Sequence, residues 1–270
     1  MNLVVQPASA EQAAEAARLS GALAVEPAGA RAFRLREAAA TPGVLAYCGA
    51  QRLDWALRPE GLRFAGLKLL AMDMDSTLIT IECIDELGDL AGKKAEISAI
   101  TAQAMRGEID YAESLERRVG MLKGLSVEAL QRVYDDRLRL TPGAEQLVAA
   151  CRKHGVKLLL VSGGFTFFTD RLQRRLGLDF TLANNLGMAD GRLTGELAGD
   201  IVDGTAKAAF FRVLGRAGRE TVAIGDGAND LPMMALAGTS VAFRAKPLVQ
   251  EKADCALNYA GLDGVLALFE

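Results

Sequence analysis

The feature that most constrains this chain is a set of short apolar runs without polar alternation. They are LKLLAM at 67–72, VKLLLV at 156–161, TVAIG at 221–225 and TSVAF at 239–243, with CALNY at 255–259 a weaker fifth. A strand with one wet face alternates apolar and polar residues, whereas a run that is apolar throughout needs cover on both faces. Helical segments separate the runs, so the expected fold is α/β: a doubly wound, Rossmann-like sheet of parallel strands. Three runs end in unusual polar residues, DMDST at 73–77, SGG at 162–164 and GDGAND at 225–230. Open α/β sheets place their ligands at these carboxyl ends.

Two pieces interrupt the alternation. Between Thr77 and Thr141 lie about sixty residues without a convincing strand: ECIDELGDLAG, KKAEISAITAQAMRG, YAESLERRVGMLKG and SVEALQRVYDDRL. Their glycine stops, and starts such as SVEAL, mark several short helices. This predicts a helical cap over 79–139, inserted into a core of 66–78 and 140–270 and seated above the two aspartates it follows. The segment LGMADGRLTGEL, with Asp190-Gly191 between apolar residues, reads as a β-hairpin on the same rim. Residues 1–65 read as a small α+β domain of βαββ type: MNLVVQ, a helix over AEQAAEAARLSGA, then ARAFRLREAA and GVLAYCG. It ends in a linker at Arg58-Pro59-Glu60-Gly61. It holds no catalytic motif, and its expected role is packing or a homodimer contact.

Composition removes other classes of function. A net charge of −3 with both signs interspersed argues against a nucleic-acid or anionic-membrane surface, and RLQRR at 171–175 reads as a solvated helix face. Cys48, Cys83, Cys151 and Cys255 are far apart, with no CxxC pair, which fits reduced thiols in the cytoplasm. The start MNLVVQPASAEQ has no basic region followed by a long apolar one, and no window reaches ~18 apolar residues, so a soluble, unexported chain is expected. The single histidine, His154, precedes Gly155 at an expected helix end, where a cation beside the last carbonyls explains it. Histidine-dependent triads and zinc sites are nearly excluded, leaving carboxylates, lysine, hydroxyls and backbone to do any chemistry.

On an extended strand Asp73 and Asp75 would point to one side, about 6.5–7 Å apart. Unpaired there, they repel. A hard cation such as Mg²⁺ removes that objection, and Asp226 offers a third oxygen source. A carboxylate is then the available nucleophile, with Asp73 attacking phosphorus and Asp75 moving the proton. Ser162-Gly163-Gly164 can aim a hydroxyl and N–H groups at phosphate oxygens, and Lys207 in DGTAKAAFF can neutralise charge. Taken singly, a DxD arises by chance, SGG is a turn, a lone lysine is solvated and GDG marks a loop. Their order, each at its own strand end, carries the inference.

These residues resemble the haloacid dehalogenase superfamily, whose phosphatases share a DxDx[TV] loop, a serine or threonine loop, a lysine and an acidic GDxxxD loop. Within it, DMDSTLITIECIDEL, ITAQAMRGEIDYAESLERRV, VSGGFTFF, GDIVDGTAKA, VAIGDGANDLPM and AFRAKP are similar to the bacterial phosphoserine phosphatase family over roughly 67–260. The resemblance implies a Mg²⁺-dependent enzyme that hydrolyses O-phospho-L-serine, the last step of serine synthesis. Asp73 is then nucleophile and Mg²⁺ ligand, Asp75 proton donor and ligand through its carbonyl, and Asp226 the remaining ligand. It implies that Glu82 recognises the substrate ammonium and Arg118 clamps its carboxylate. Ser162, Gly163, Lys207 and Asn229 match the phosphate-binding set, with Thr77 and Asp230 supporting them by hydrogen bonds. Met105 and Tyr111 fall at positions near the substrate. Longer relatives carry amino-acid-sensing domains of ACT type where this chain has residues 1–65, which look like a diverged or shortened one.

Alternatives remain at this level. An ordinary surface ion pair explains Glu82 and Arg118 equally, and an apolar helix face explains Met105 and Tyr111. A phosphotransferase of the same fold would pass the phosphoryl group to an alcohol such as homoserine. A non-catalytic amino-acid or phosphate sensor would keep the fold without the reaction.

Overall fold

The computed structural model describes residues 1–214 and 218–270. The chain opens with β1 (Asn2–Gln6) and α1 (Ala10–Ser20). A capping box starts α1: Ser9 Oγ accepts from Gln12 N, and Gln12 Oε1 accepts from Ser9 N. β2 (Ala24–Gly29) and β3 (Ala32–Arg36) follow. The segment GVLAYCG, expected as a strand, is instead part of helix α2 (Pro42–Gln51). Thr41 caps it by accepting from Val44 N, and Pro42 in the first turn has no N–H to satisfy. The strand comes next, β4 (Asp54–Arg58), so the unit is βαββαβ rather than βαββ. Its antiparallel sheet runs β2-β3-β1-β4, and Pro27 lies on the edge strand, where a missing donor is tolerated.

Arg58, expected in the linker, is the buried last residue of β4. Its Nη2 donates to Thr239 Oγ1 (2.7 Å) and its Nε to Leu268 O (3.3 Å). Arg34 Nη2 donates to Ala267 O (3.0 Å) and Phe269 O (2.6 Å). Two buried guanidiniums thus satisfy carbonyls near the end of the chain, and the N-terminal sheet is bonded to the main body.

The second sheet begins at β5 (Leu69–Met72), fully buried. The chain then leaves for four helices, α3 (Cys83–Leu90), α4 (Lys94–Met105), α5 (Tyr111–Gly120) and α6 (Val127–Arg132), and returns at α7 (Ala144–His154). The outgoing and returning connections lie side by side: Ile79 bridges Leu140, and Thr80 N donates to Arg139 O (3.0 Å). β6 (Lys157–Phe165), α8 (Thr166–Leu176), β7 (Phe180–Ala189) and β8 (Arg192–Ala198) follow. Then come α9 (Gly204–Leu214), β9 (Gly218–Gly225), α10 (Leu231–Met234), β10 (Ala237–Phe243), α11 (Pro247–Lys252), β11 (Cys255–Leu257) and α12 (Gly264–Ala267).

The seven-stranded order is β11-β10-β9-β5-β6-β7-β8, parallel throughout except for the β7–β8 hairpin. β5 is central, with Leu70 opposite Leu158 on one side and Val222 on the other. Apolar residues fill both faces, Phe165 and Phe168 on one and Phe211 and Met233 on the other. The hairpin turns at Asp190 (φ 51°) and Gly191 (φ 73°), the left-handed pair such a turn requires. The sequence reading missed the first half of β7, because Asn184 and Asn185 interrupt its apolar pattern. The hairpin also bonds the cap: Gly124 N donates to Leu193 O (2.9 Å) and Val127 N to Gly191 O (3.0 Å). All four cysteines are buried and free. Among the described residues no helix is long and apolar enough to cross a membrane.

Candidate active site

A cavity of about 830 Å³ lies between the carboxyl ends of β5, β6 and β9 and the cap helices. Its floor carries Asp73, Asp75, Ser162, Gly163, Asp226 and Asn229; its roof carries Glu82, Met105, Tyr111 and Arg118. Residues up to 156 positions apart in sequence, Asp73 and Asn229, therefore share one wall, because each follows the end of a neighbouring strand.

Asp73 sits one residue past β5, and its amide still donates to Ile224 O (3.0 Å). Its Oδ1 accepts from Met74 N (2.7 Å) and faces Lys207 Nζ (3.0 Å). Oδ2 has no hydrogen-bond partner among the described residues. Asp73 (φ −70°, ψ 162°) and Asp75 (φ −64°, ψ 137°) are both extended and both face the cavity, although β5 itself ends at Met72. The chain turns at Met74–Leu78, where Ser76 takes φ 55°, a left-handed conformation unusual for a residue with a Cβ. Asp75 Oδ1 accepts from Cys83 N (2.9 Å), and its Oδ2 lies 3.5 Å from Ser162 Oγ. The same turn lets Ser76 Oγ donate to Glu82 Oε1 (2.6 Å), fixing a roof carboxylate.

The carboxylates that do converge are Asp73, Asp226 and Asp230, each offering an oxygen within 4.8 Å of the others. The Asp75 side chain is outside this cluster, so only its carbonyl is left for the ligand role expected of it. Asp230 is tied up by protein: Oδ1 accepts from Lys207 Nζ (2.8 Å) and Oδ2 from Gly227 N (3.2 Å). Lys207 is fully buried behind Asp73 rather than on the cavity wall. Thr77 is also fully enclosed, and its hydroxyl has no hydrogen-bond partner among the described residues, so the bonded support expected of it is not made.

Electrostatics follow from crowding. Burial, then Asp230, raises Asp73 well above the ordinary carboxylate range, with Lys207 pulling against them. Burial and Glu82 raise Asp75 to about 7, and burial and Asp230 raise Asp226 to about 6. Burial also raises Glu82, against its Ser76 hydrogen bond. For Lys207, burial favours the neutral amine, but Asp230 and Asp73 outweigh it and hold the ammonium. Three carboxylates facing one lysine leave negative charge in excess, and an all-oxygen donor set suits a hard dication such as Mg²⁺.

The glycines of SGG are there for space. A Cβ at Gly164 would lie 2.6 Å from Asp75 Oδ2, and one at Gly163 would collide with the Tyr111 hydroxyl. Ser162 Oγ accepts from Gly164 N (2.8 Å), which folds the loop on itself. In the roof, Glu82 and Arg118 form no ion pair; Arg118 Nε donates to Ser114 O (3.2 Å) and its charge has no carboxylate partner among the described residues. Lys246, missed in the sequence reading, lines the cavity and draws Glu82 and Asp226 downward. Its signal was its place in AFRAKP, just past the end of the apolar run TSVAF.

Comparison with known proteins agrees with this geometry. The profile of haloacid dehalogenase-like hydrolases matches residues 70–235, and a second of the same description matches 204–269. A phosphoserine phosphatase of Polaromonas sp. is 56% identical over 216 residues, covering 77% of this chain and 92% of that protein. The unliganded crystal structure of a probable phosphoserine phosphatase from Vibrio cholerae superposes with a TM-score of 0.86 at 36% identity, over 99% of this chain and 85% of that one. A substrate-bound phosphoserine phosphatase complex gives a TM-score of 0.70 at 36% identity, over 76% of this chain and 99% of that one. The chain therefore belongs to the haloacid dehalogenase-like hydrolases, in the family of the phosphoserine phosphatases.

Proposed function

We propose that the protein hydrolyses O-phospho-L-serine to L-serine and phosphate, as the final step of serine synthesis. The observation that carries this reading is the division of one cavity into a carboxylate floor and a roof with an unpaired arginine and a separate carboxylate. Phosphoserine presents a phosphate, a carboxylate and an ammonium. The floor suits the first, Arg118 the second through its planar fork, and Glu82 the third.

In the first step Asp73 Oδ2 attacks phosphorus, and the bond to the serine oxygen breaks as Asp75, raised to about 7, gives that oxygen its proton. The product on the enzyme is an aspartyl phosphate. Asp75, now ionised, takes a proton from water, whose oxygen attacks phosphorus; phosphate leaves and Asp73 is restored. Ser162 Oγ, the Gly163 amide and Asn229 hold phosphoryl oxygens, with Gly164 N bracing Ser162 Oγ, while Lys207 draws Asp73 toward its ionised form from behind. Asp73, Asp226 and the Asp75 carbonyl would hold Mg²⁺, with Asp230 bracing them. When bound, the ion supplies positive charge against the phosphoryl oxygens. Cap closure over the floor excludes bulk water during attack.

The test is phosphate release from O-phosphoserine with Mg²⁺ and with EDTA, repeated with homoserine present. Mg²⁺-dependent release is expected; phosphohomoserine as main product would replace the hydrolase reading by phosphotransfer, and no release would favour a sensor. The four free thiols support a cytoplasmic location. For assembly we propose a homodimer through the N-terminal sheet, whose edge exposes Leu23 (75%) and Val25 (42%); a monomeric mass by light scattering overturns it.

A further inference from the structure

β6 and β7 pair in register at Val161↔Leu182 and again at Phe165↔Asn184. Three residues of β6 thus stand opposite one residue of β7, so Ser162-Gly163-Gly164 bulges out of the sheet. Such a loop is carried forward to its ligand but is no longer held by a regular ladder. Asn184, only 1% exposed, stands where the ladder resumes. Its Nδ2 donates to Gly163 O (2.8 Å), and its Oδ1 accepts from Val202 N (2.8 Å).

Val202 opens the turn that starts α9. The next residue, Asp203, caps that helix, with Oδ1 accepting from Ala206 N (2.8 Å) and its carbonyl from Lys207 N (3.0 Å). One buried amide therefore ties the serine loop to the helix that carries the buried lysine. Tyr111 of the cap touches the same two backbones more loosely, its hydroxyl 3.3 Å from Gly163 O and 3.4 Å from Val202 O.

We propose that Asn184 is a positioning residue of the reaction: its side-chain amide sets the distance between the Ser162-Gly163-Gly164 loop and Lys207, and so the shape of the phosphate site. An amide is required because one partner is a carbonyl and the other an N–H, and only one donor and one acceptor on the same planar group meet both. The inference rests on the phosphatase reading above. It is distinct from substrate recognition, since Asn184 lies under the floor and none of its contacts reaches the roof residues Glu82 and Arg118.

The test compares wild type with Asn184→Asp, Asn184→Ser and Asn185→Asp. Aspartate turns the donor facing Gly163 O into an acceptor at constant size; serine keeps a shorter donor and acceptor; Asn185 is the exposed neighbour, whose side chain accepts from Thr166 Oγ1 (2.8 Å). Each variant is assayed with Mg²⁺ on O-phosphoserine and on phenyl phosphate, with inorganic phosphate affinity by calorimetry and folding by circular dichroism. Asn184→Asp should lose roughly 10- to 100-fold in kcat/KM, as supporting hydrogen bonds around a site do. The loss should be equal on both esters and accompanied by weaker phosphate binding. Asn184→Ser should lose less, and Asn185→Asp should match wild type. If Asn184→Asp does not fold, Asn184→Ser decides: unchanged kcat/KM and phosphate affinity in a folded variant overturn the proposal, as does a loss confined to phosphoserine. Inactivity of the wild type on both esters would instead remove the phosphatase reading itself.

Discussion

The floor and the roof of the cavity use charge in opposite ways. In the floor, charged groups engage one another before any ligand arrives: Lys207 bridges Asp73 and Asp230 at 3.0 and 2.8 Å, and all three are buried. In the roof, Arg118 has no carboxylate partner among the described residues, and Glu82 is held only by a serine hydroxyl. A buried network of fixed charges is costly to rearrange, which suits a centre that must meet the same phosphoryl group every cycle. Unpaired charges on a lid are free to pair with whatever enters, which suits recognition. On the proposed reading, fixed charge serves the chemistry and spare charge the choice of substrate.

The largest effect is expected at Asp73, in the floor. Asp73→Asn should reduce phosphate release at least roughly 10³-fold on any ester, with the circular dichroism spectrum unchanged; substantial turnover would move the nucleophile elsewhere. Next is Lys207→Met, which strands two buried carboxylates. Urea unfolding at neutral pH without metal should show a loss of about 3–5 kcal/mol. A loss within 0.5 kcal/mol, the usual size for a surface change, would mean that the lysine does not hold the floor together. Arg118→Ala, in contrast, should leave stability nearly untouched and raise KM for phosphoserine roughly 10- to 100-fold, the size of lost charged hydrogen bonds.

The smallest effect sharpens the floor's account through pH. Asp75 and Asp226 stand at about 7 and about 6 in the folded chain, above the ordinary value near 4. Between about pH 4 and 7 the folded state therefore binds more protons than the unfolded one, so the site's contribution to metal-free stability falls as pH rises. A dication held by the Asp226 carboxylate takes the place of its proton. Added Mg²⁺ should raise Tm by roughly 2–6 °C near pH 7.5 and by less near pH 5; equal shifts at both would separate metal binding from these carboxylates.

The floor was legible in the sequence because strand ends are local: DMDST, SGG and GDGAND each follow an apolar run, and parallel pairing brings the ends together. What was not legible depends on contacts across the chain. The turn at Ser76 brings its hydroxyl to Glu82, and no residue in DMDST announces a left-handed serine. Asn184 bonds partners 21 and 18 positions away, which no spacing reveals. GVLAYCG is apolar enough for a strand, and only its cap, Thr41 with Pro42, argued for the helix it forms. In the roof, Glu82 and Arg118 carry no local signal of their own; they stood out by resemblance, and the structure adds that they are unpaired.

The division between floor and roof is tested most directly by trapping the intermediate. Wild type and Arg118→Ala are mixed with Mg²⁺ and either O-phosphoserine or phenyl phosphate, quenched in acid within one turnover, reduced with borohydride and digested. An aspartyl phosphate is converted by this treatment to homoserine at its own position. Conversion is expected at residue 73 in wild type with both esters, and in Arg118→Ala undiminished conversion with phenyl phosphate but sharply reduced conversion with phosphoserine. Conversion at another residue, or equal loss with both esters, would contradict it.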